Sequence, residues 1–304
     1  MDPYYVRSIL RMQAPLLIPD IAPPVSGHTL LFPVVGNPIS QVKAPLVFNA
    51  LFRRAGIDAL VVPLDLPPAT VLDTCRGLLA SGSIGGLLVT VPYKKTLFDL
   101  VAQPGEPARL VGAVNAIRRD AGGAIAGDLF DGIGFVAGLR AAGHDPAGRK
   151  VLLVGAGGAG SAVAAALLSA GVVWLGLFDV HTARAEALAS HLQACFADCT
   201  VVSLRTPSQA DCDIAVNTTP LGMKPDDPLP LDPAALPAGT LVVDVIMQPA
   251  ETPLLRHAAQ RGLPVHPGRP MLDHQLPAYL DFFGLPQAAQ LARATLRTNT
   301  TSPI

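Results

Sequence analysis

A glycine-rich turn set between two apolar runs constrains this chain more than any other feature. Val151 to Val154 is short and apolar, Gly155-Ala-Gly157-Gly-Ala-Gly160 follows it, and a second apolar run from Val172 to Phe178 ends on Asp179. The pattern predicts a buried strand, a tight turn, a helix through Ala162 to Ser169 that stops near Gly171, and a second parallel strand. Each glycine has its own reason. Gly155 permits the turn, Gly157 lets backbone approach a pyrophosphate, and Gly160 lets helix and strand pack closely. Phosphates then rest on the positive end of the helix. A lone G-x-G-x-x-G is weak, because tight turns need glycine for steric reasons alone. The strand before, the helix after and the acid closing the next strand turn it into a dinucleotide-binding unit, and so into an expected oxidoreductase. A carboxylate at 179 accepts hydrogen bonds from the ribose 2′-hydroxyl and repels a 2′-phosphate, so NAD is expected over NADP, although Arg184 lies close by.

The same stretch competes as a membrane span, since Val151 to Phe178 carries no charged side chain and is long enough to cross a bilayer. Glycines at 155, 157, 158, 160, 171 and 176 argue for the strand, turn, helix and strand instead. The remaining bounds are broad. A chain of 304 residues suggests two domains, and with 50% hydrophobic residues it has ample core. A formal net charge of −1, without a basic cluster, offers no footprint for nucleic acid or an anionic membrane, so a small-molecule partner is expected. The N-terminus lacks the features of an export signal, which gives a cytoplasmic expectation. Cys75, Cys195, Cys199 and Cys212 form no disulfide framework, and no Cys or His spacing suggests a metal. Cys195 and Cys199 are spaced as one helical turn and are read as packing.

Along the chain, residues 1–28 form a proline-rich arm, within which Met12 is an alternative start. Strands are expected at Leu30 to Val35, Ala59 to Val62 and Gly86 to Val91, with helices from Pro45 to Arg54, Pro68 to Leu79 and Lys95 to Val101. Ala113 to Arg118 and Ala124 to Gly127 read as a hairpin across Asp120-Ala-Gly-Gly123. A helix from Gly132 to Ala142 bridges to the nucleotide unit. Strands follow at Thr200 to Leu204, Ile214 to Asn217 and Leu241 to Val245, then helices at Met271 to Phe283 and Pro286 to Arg297 that return to the first domain. The expected fold is α/β in two domains. An N-terminal α/β substrate domain with a mostly parallel sheet spans 29–130 plus 270–304, and a Rossmann dinucleotide-binding domain spans 131–269.

Several motifs lie in order across both halves. They are Val34-Val-Gly36-Asn-Pro38-Ile39 with Pro45, Val89-Thr90-Val-Pro92-Tyr-Lys94-Lys, Gly112-Ala-Val-Asn115, and Asp131-Gly-Ile-Gly134. Beyond them come the glycine turn, Asn217-Thr-Thr-Pro220-Leu-Gly222-Met, Asp244 with Pro249 and Thr252, and Gly268 with Met271-Leu272 and Gln275. With these the chain resembles the shikimate/quinate dehydrogenase family from Leu30 onward. The resemblance implies hydride transfer between a ring alcohol carbon and nicotinamide C4, with Lys94 and Asp131 flanking the reacting oxygen. Proton handling by such a pair is worth about 10²–10⁴-fold. From the residues alone, Lys94 beside Lys95 reads as a solvated pair and Asp131 before glycine as a helix cap. The resemblance also implies substrate contacts at Thr90, Asn115 and Gln275. Implied cofactor contacts are Gly155, Ala156, Gly157, Gly158, Ala159, Asp179, Arg184, Thr218, Val245 and Gly268.

The departures from the family pattern all have one sign. The family's Ser-x-Ser that binds the substrate carboxylate is replaced by Val42-Lys43-Ala44, with Lys43 at the variable position where its side chain need not face the pocket. Losing two hydrogen bonds to a charged group costs very roughly 10²–10⁴ in binding. Leu88, Ala116, Leu129, Phe130 and Met247 stand where the family carries polar side chains, and the expected pocket is therefore apolar, with packing behind the pocket as the alternative for some of these changes. The family's Asn-Arg-Thr for NADP is replaced by Asp179-Val180-His181-Thr182. The leading expectation is an NAD-dependent dehydrogenase of an unidentified cyclic hydroxy compound, able to assemble as a homodimer. The alternatives are an authentic shikimate or quinate dehydrogenase that binds the acid by backbone N–H groups or Lys43, and a non-catalytic NAD-binding sensor. His274, beside Gln275, is a further proton-handling candidate.

Overall fold

Two six-stranded sheets, one after the other along the chain, organise the computed structural model, which describes residues 25–207 and 211–299. The first sheet contains β1 (Leu30–Gly36), β2 (Ala59–Asp65), β3 (Leu87–Val89), β4 (Gln103–Pro104), β5 (Ala116–Arg119) and β6 (Ile125–Asp128), in the order β2-β1-β3-β5-β6-β4. β1 pairs in parallel with β2 and β3, whereas β5 runs antiparallel to β3 and β6 as the turn at Asp120 to Gly123 requires. Helices α1 (Ala44–Ala55), α2 (Val71–Leu79) and α3 (Glu106–Val111) connect these strands, with a 3-10 turn over Thr96–Leu100. Gly56, left-handed at φ 65°, ends α1 by donating to the carbonyls of Arg53 and Phe52.

The second sheet is parallel throughout. Its strands are β7 (Lys150–Val154), β8 (Trp174–Phe178), β9 (Thr200–Ser203), β10 (Ile214–Asn217), β11 (Leu241–Asp244) and β12 (Val265–His266), in the order β12-β11-β10-β7-β8-β9. That order reverses direction between β7 and β10, which places a crevice at their carboxyl ends. Crossovers are made by α5 (Gly158–Ser169), α6 (Thr182–Cys195) and α7 (Pro253–Gln260). The uncharged stretch thus folds as strand, turn, helix and strand, and among the described residues no helix is long and apolar enough to cross a membrane.

One helix joins the two sheets' layers. α4 (Asp131–Ala141) packs against α5 on one side and α8 (Arg269–Phe282) on the other, because its glycines let backbones touch. A Cβ at Gly132 would lie 2.3 Å from the Ala162 carbonyl oxygen, and one at Gly134 would lie 2.3 Å from that of Met271. α8 and α9 (Pro286–Asn299) then return to the first sheet, where Leu276, Tyr279, Leu280, Ala288 and Ala289 share a core with Phe32, Phe48 and Phe52.

The structure corrects several local expectations. α2 starts three residues after Pro68, because Pro68 and the threonine that follows Ala69 lie in a turn capped by the Pro67 carbonyl. α3, α6 and α7 and the two-residue strands β4 and β12 are additional elements, and α3 and α7 begin at proline-bearing first turns. Cys195 ends α6 while Cys199 lies beyond it with its thiol on the Phe196 carbonyl, so the two do not share a helical turn. The proline-rich arm lies outside the described residues except for 25–28.

Candidate active site

Lys94 follows β3 in the turn after Pro92, and its carbonyl accepts from Val114 N–H at 2.9 Å. Its ammonium forms an ion pair with the Asp131 carboxylate; the two side chains are only 16% and 10% exposed. Asp131 is the first residue of α4, after an N-cap at Phe130 that makes no side-chain cap. Its carboxylate therefore serves Lys94 and not the helix end. Lys94 is thus not the solvated group that its neighbour suggests, and the N-cap is Phe130, not Asp131.

The pair opens onto a cavity of about 290 Å³. Thr90, Val42, Ala44, Met247 and Gln275 line it, as does Val245 from the end of β11 and Ala159 from the glycine turn. Asn115 lies fully buried at the start of β5, its Oδ1 accepting from Phe130 N–H at 3.0 Å. Asn115 Nδ2, a donor, and Gln275 Oε1, an acceptor, are both buried without a partner, and of these two residues only Gln275 lines the cavity. Leaving such groups unpaired costs about 1–3 kcal/mol each, so a ligand with hydroxyl groups is the natural complement.

Other readings change. Lys43 and Gln41 both line this cavity, so position 43 does border the substrate space. Leu88 and Met247 line it too, but Ala116, Leu129 and Phe130 do not; they are buried core, with Phe130 edge-on to Tyr279 at 5.0 Å. The apolar shift in the pocket is therefore narrower than the substitutions imply. His274 lines a separate cavity against α9, one step round the helix from Gln275. Sequence reasoning missed Tyr279, which lies one turn beyond Gln275 on the cavity-facing side of α8. Burial first, and the Asp131 charge second, hold its hydroxyl well above the ordinary tyrosine pKa, and it donates to the Asn115 carbonyl at 3.3 Å.

On the cofactor side, Gly155 has φ 107° and closes the turn after β7. A Cβ on Gly160 would fall 1.9 Å from the Gly155 carbonyl oxygen, so glycine there is a packing requirement. Gly157 and Gly158 differ, because a Cβ on either would meet no protein atom within 4 Å. The space above the first turn of α5 is open, as a pyrophosphate over its N–H groups requires. The Asp179 carboxylate accepts from Ala156 N–H and His181 N–H, each at 2.8 Å, and so ties the end of β8 to the glycine turn. Thr218 hydroxyl serves the same turn, directed at the Val154 and Gly155 carbonyls at 2.9 and 2.7 Å. Gly268 lets the chain cross close to the Val245 backbone, where a Cβ would sit 2.5 Å from its carbonyl. Arg184 lies in the first turn of α6, facing a different cavity from the Lys94 pair.

Residues 34–117 match the family model described as the shikimate dehydrogenase substrate binding domain. A shikimate dehydrogenase (NADP(+)) of Rubrobacter xylanophilus is 39% identical over 256 residues, covering 83% of this chain and 90% of that protein. One from Rhodospirillum rubrum is 36% identical over 285 residues, covering 90% and 98%. Among solved structures, quinate dehydrogenase from Corynebacterium glutamicum in complex with NAD superimposes with a TM-score of 0.79 at 30% identity, covering 89% of this chain and 99% of that one. The 5-ketofructose reductase of a Gluconobacter strain gives 0.76 at 26% identity, covering 89% and 100%.

Proposed function

Since the chain belongs to the shikimate dehydrogenase family and is a shikimate dehydrogenase-like oxidoreductase, we propose that it interconverts a cyclic hydroxy compound and its ketone, with Lys94 and Asp131 handling the proton. One observation carries the reading: the Lys94–Asp131 ion pair shares a cavity with Ala159 of the glycine turn. A nicotinamide cofactor, when bound, supplies the hydride or accepts it. The residues that would hold it are the open first turn of α5 at Gly157 to Ala159, Asp179 and Val245, and residues 131–269 form its unit of the fold. In the reducing direction the Lys94 ammonium donates to the substrate oxygen. Asp131 fixes that ammonium by charge, and the buried carboxamides of Asn115 and Gln275 orient the ring hydroxyls. A non-catalytic sensor has no use for a buried proton-handling pair.

Two finer points belong to the proposal. NAD is the preferred cofactor, supported by the Asp179 carboxylate beside the expected ribose site, although the curated relatives carry NADP(+) in their names. The substrate is less polar than shikimate or lacks its carboxylate, supported by Val42, Ala44, Leu88 and Met247 in the cavity wall, and one structural neighbour is named a 5-ketofructose reductase. A second reading has its own observation. Lys43 lines the cavity, so an acid held by that ammonium is the competing substrate. Steady-state assays with NAD and NADP, on shikimate, quinate and a panel of neutral cyclic alcohols, test all three points. Turnover of neutral alcohols above the acids supports the first reading; turnover of the acids, lost in Lys43→Ala, supports the second. Absence of any cofactor-linked turnover overturns both.

A further inference from the structure

The wall that α8 gives to the substrate cavity carries a polar group with capacity to spare. Tyr279 borders this cavity together with Gln275, one turn before it on the same helix. Tyr279 is only 7% exposed, and other aromatic rings hold its own. Phe48 of α1 lies edge-on at 5.7 Å, Phe130 edge-on at 5.0 Å, and Phe283 tilted at 6.1 Å. A ring clamped in this way loses little freedom when a ligand meets it. Its hydroxyl is half used. It donates to the Asn115 carbonyl at a long 3.3 Å, and that carbonyl already accepts from Val89 N–H at 2.7 Å. Among the described residues nothing donates to the phenol oxygen, and Gln275 Oε1, a second acceptor, is buried without a partner. The Asp131 carboxylate acts on the same phenol, since its charge adds to burial in keeping the proton in place. Val42, Ala44 and Leu88, which border the same cavity, offer no hydrogen bond from their side chains. Two neutral acceptors one helical turn apart, near a carboxylate, favour a ligand that brings protons over one that brings negative charge.

We propose that Tyr279 is a specificity-determining residue: its phenol oxygen accepts a hydrogen bond from a substrate hydroxyl on the carbon next to the reacting one, so that the site selects neutral vicinal diols. The inference rests on the dehydrogenase reading and narrows its substrate class. Asp131 gives the placement, because its carboxylate pairs with the Lys94 ammonium and its charge also reaches the phenol. The hydrogen bonds then run in one direction, from the substrate hydroxyl to the phenol oxygen and from the phenol to the Asn115 carbonyl. Asn115 is fixed to the supports of the proton-handling pair. Its Oδ1 accepts from the N–H of Phe130, the residue before Asp131, and the N–H of neighbouring Val114 donates to the Lys94 carbonyl. A hydroxyl held by Tyr279 is thereby registered against the backbone that carries both reacting side chains. A carboxylate has no proton to give to either acceptor.

The test compares the full wild-type chain with Tyr279→Phe, which keeps the ring and removes the hydroxyl. Initial rates are measured on 1,2-cyclohexanediol and on cyclohexanol, with NAD and with NADP, and thermal melts report that the variant is folded. Wild type should turn over the diol with the higher kcat/KM. In the variant, kcat/KM for the diol should fall about three- to tenfold, the worth of one neutral hydrogen bond, and the loss should appear in KM. Cyclohexanol, which has no second hydroxyl, should stay within about twofold. A residue that only packs would lower both alike. Equal losses on the two alcohols, an unchanged diol, or a wild type without preference for the diol overturns the inference and leaves the dehydrogenase reading standing. Should the variant not fold, the wild-type preference decides alone. Absence of turnover on both alcohols, with either cofactor, overturns the inference together with the reading beneath it.

Discussion

Lys94 and Asp131 show how far a single side chain's surroundings decide its work. A lysine beside another lysine looks like a surface group and an aspartate before glycine like a helix cap, and only the fold turns them toward each other into a cavity. Replacing Lys94 by alanine should lower kcat by about 10²–10⁴, the usual worth of a positioned acid/base group, and leave NAD affinity within about twofold. Steady-state kinetics and calorimetry on the same preparation separate the two effects; equal losses in both would place Lys94 in cofactor binding. A second residue-scale prediction concerns pH. Burial first, then the charges of His144 and His274, lower the His266 pKa to about 4 from an ordinary 6.5. The unfolded chain binds that proton more readily, so folding stability is full above pH 6.5 and falls as pH drops toward 4, by up to about 1.4 kcal/mol per pH unit. In His266→Phe the slope of denaturation midpoint against pH should flatten across that window, and an unchanged slope would assign the acid sensitivity to other groups.

At the scale of elements, legibility followed the strength of the local pattern. The glycine turn, β7, β8 and the hairpin of β5 and β6 were readable because apolar runs and turn residues there agree with the tertiary fold. α3 was not, since six residues opening on Glu106-Pro107 give too little periodicity to register. Leu129 and Phe130 fall on the packing side of the two readings, for a related reason. A motif alignment places residues along a strand end but says nothing of which side chains the α8 aromatics cover. Lys43 was the reverse case, since as the N-cap of α1 it borders the cavity. The glycines give a paired prediction. Gly134→Ala puts a methyl group into the Met271 backbone, so α4 and α8 must part and stability should fall by about 1–3 kcal/mol. Gly157→Ala meets nothing in the protein, so thermal stability should hold while affinity for the cofactor drops. Thermal melts with and without NAD distinguish the two; a Gly157→Ala variant that binds NAD normally would show that the open space above α5 is not the pyrophosphate seat.

The whole molecule explains why neither layer suffices alone. Lys94 hangs from the first sheet, Ala159 and Val245 from the second, and Asp131 from the helix wedged between α5 and α8. A ligand that bridges them binds only the assembled chain, and its affinity must then appear as stability. NAD at about 100 times its Kd should add about 2.7 kcal/mol, a rise in melting temperature of several degrees. The same linkage reads the cofactor preference without any substrate. If the Asp179 carboxylate repels a 2′-phosphate, NADP at equal concentration should stabilise less than NAD. Removing the charge by Asp179→Asn, which can still accept from Ala156 N–H, should narrow that gap mainly by raising the NADP response. A wild-type chain that melts higher with NADP than with NAD would overturn the preference assigned to Asp179.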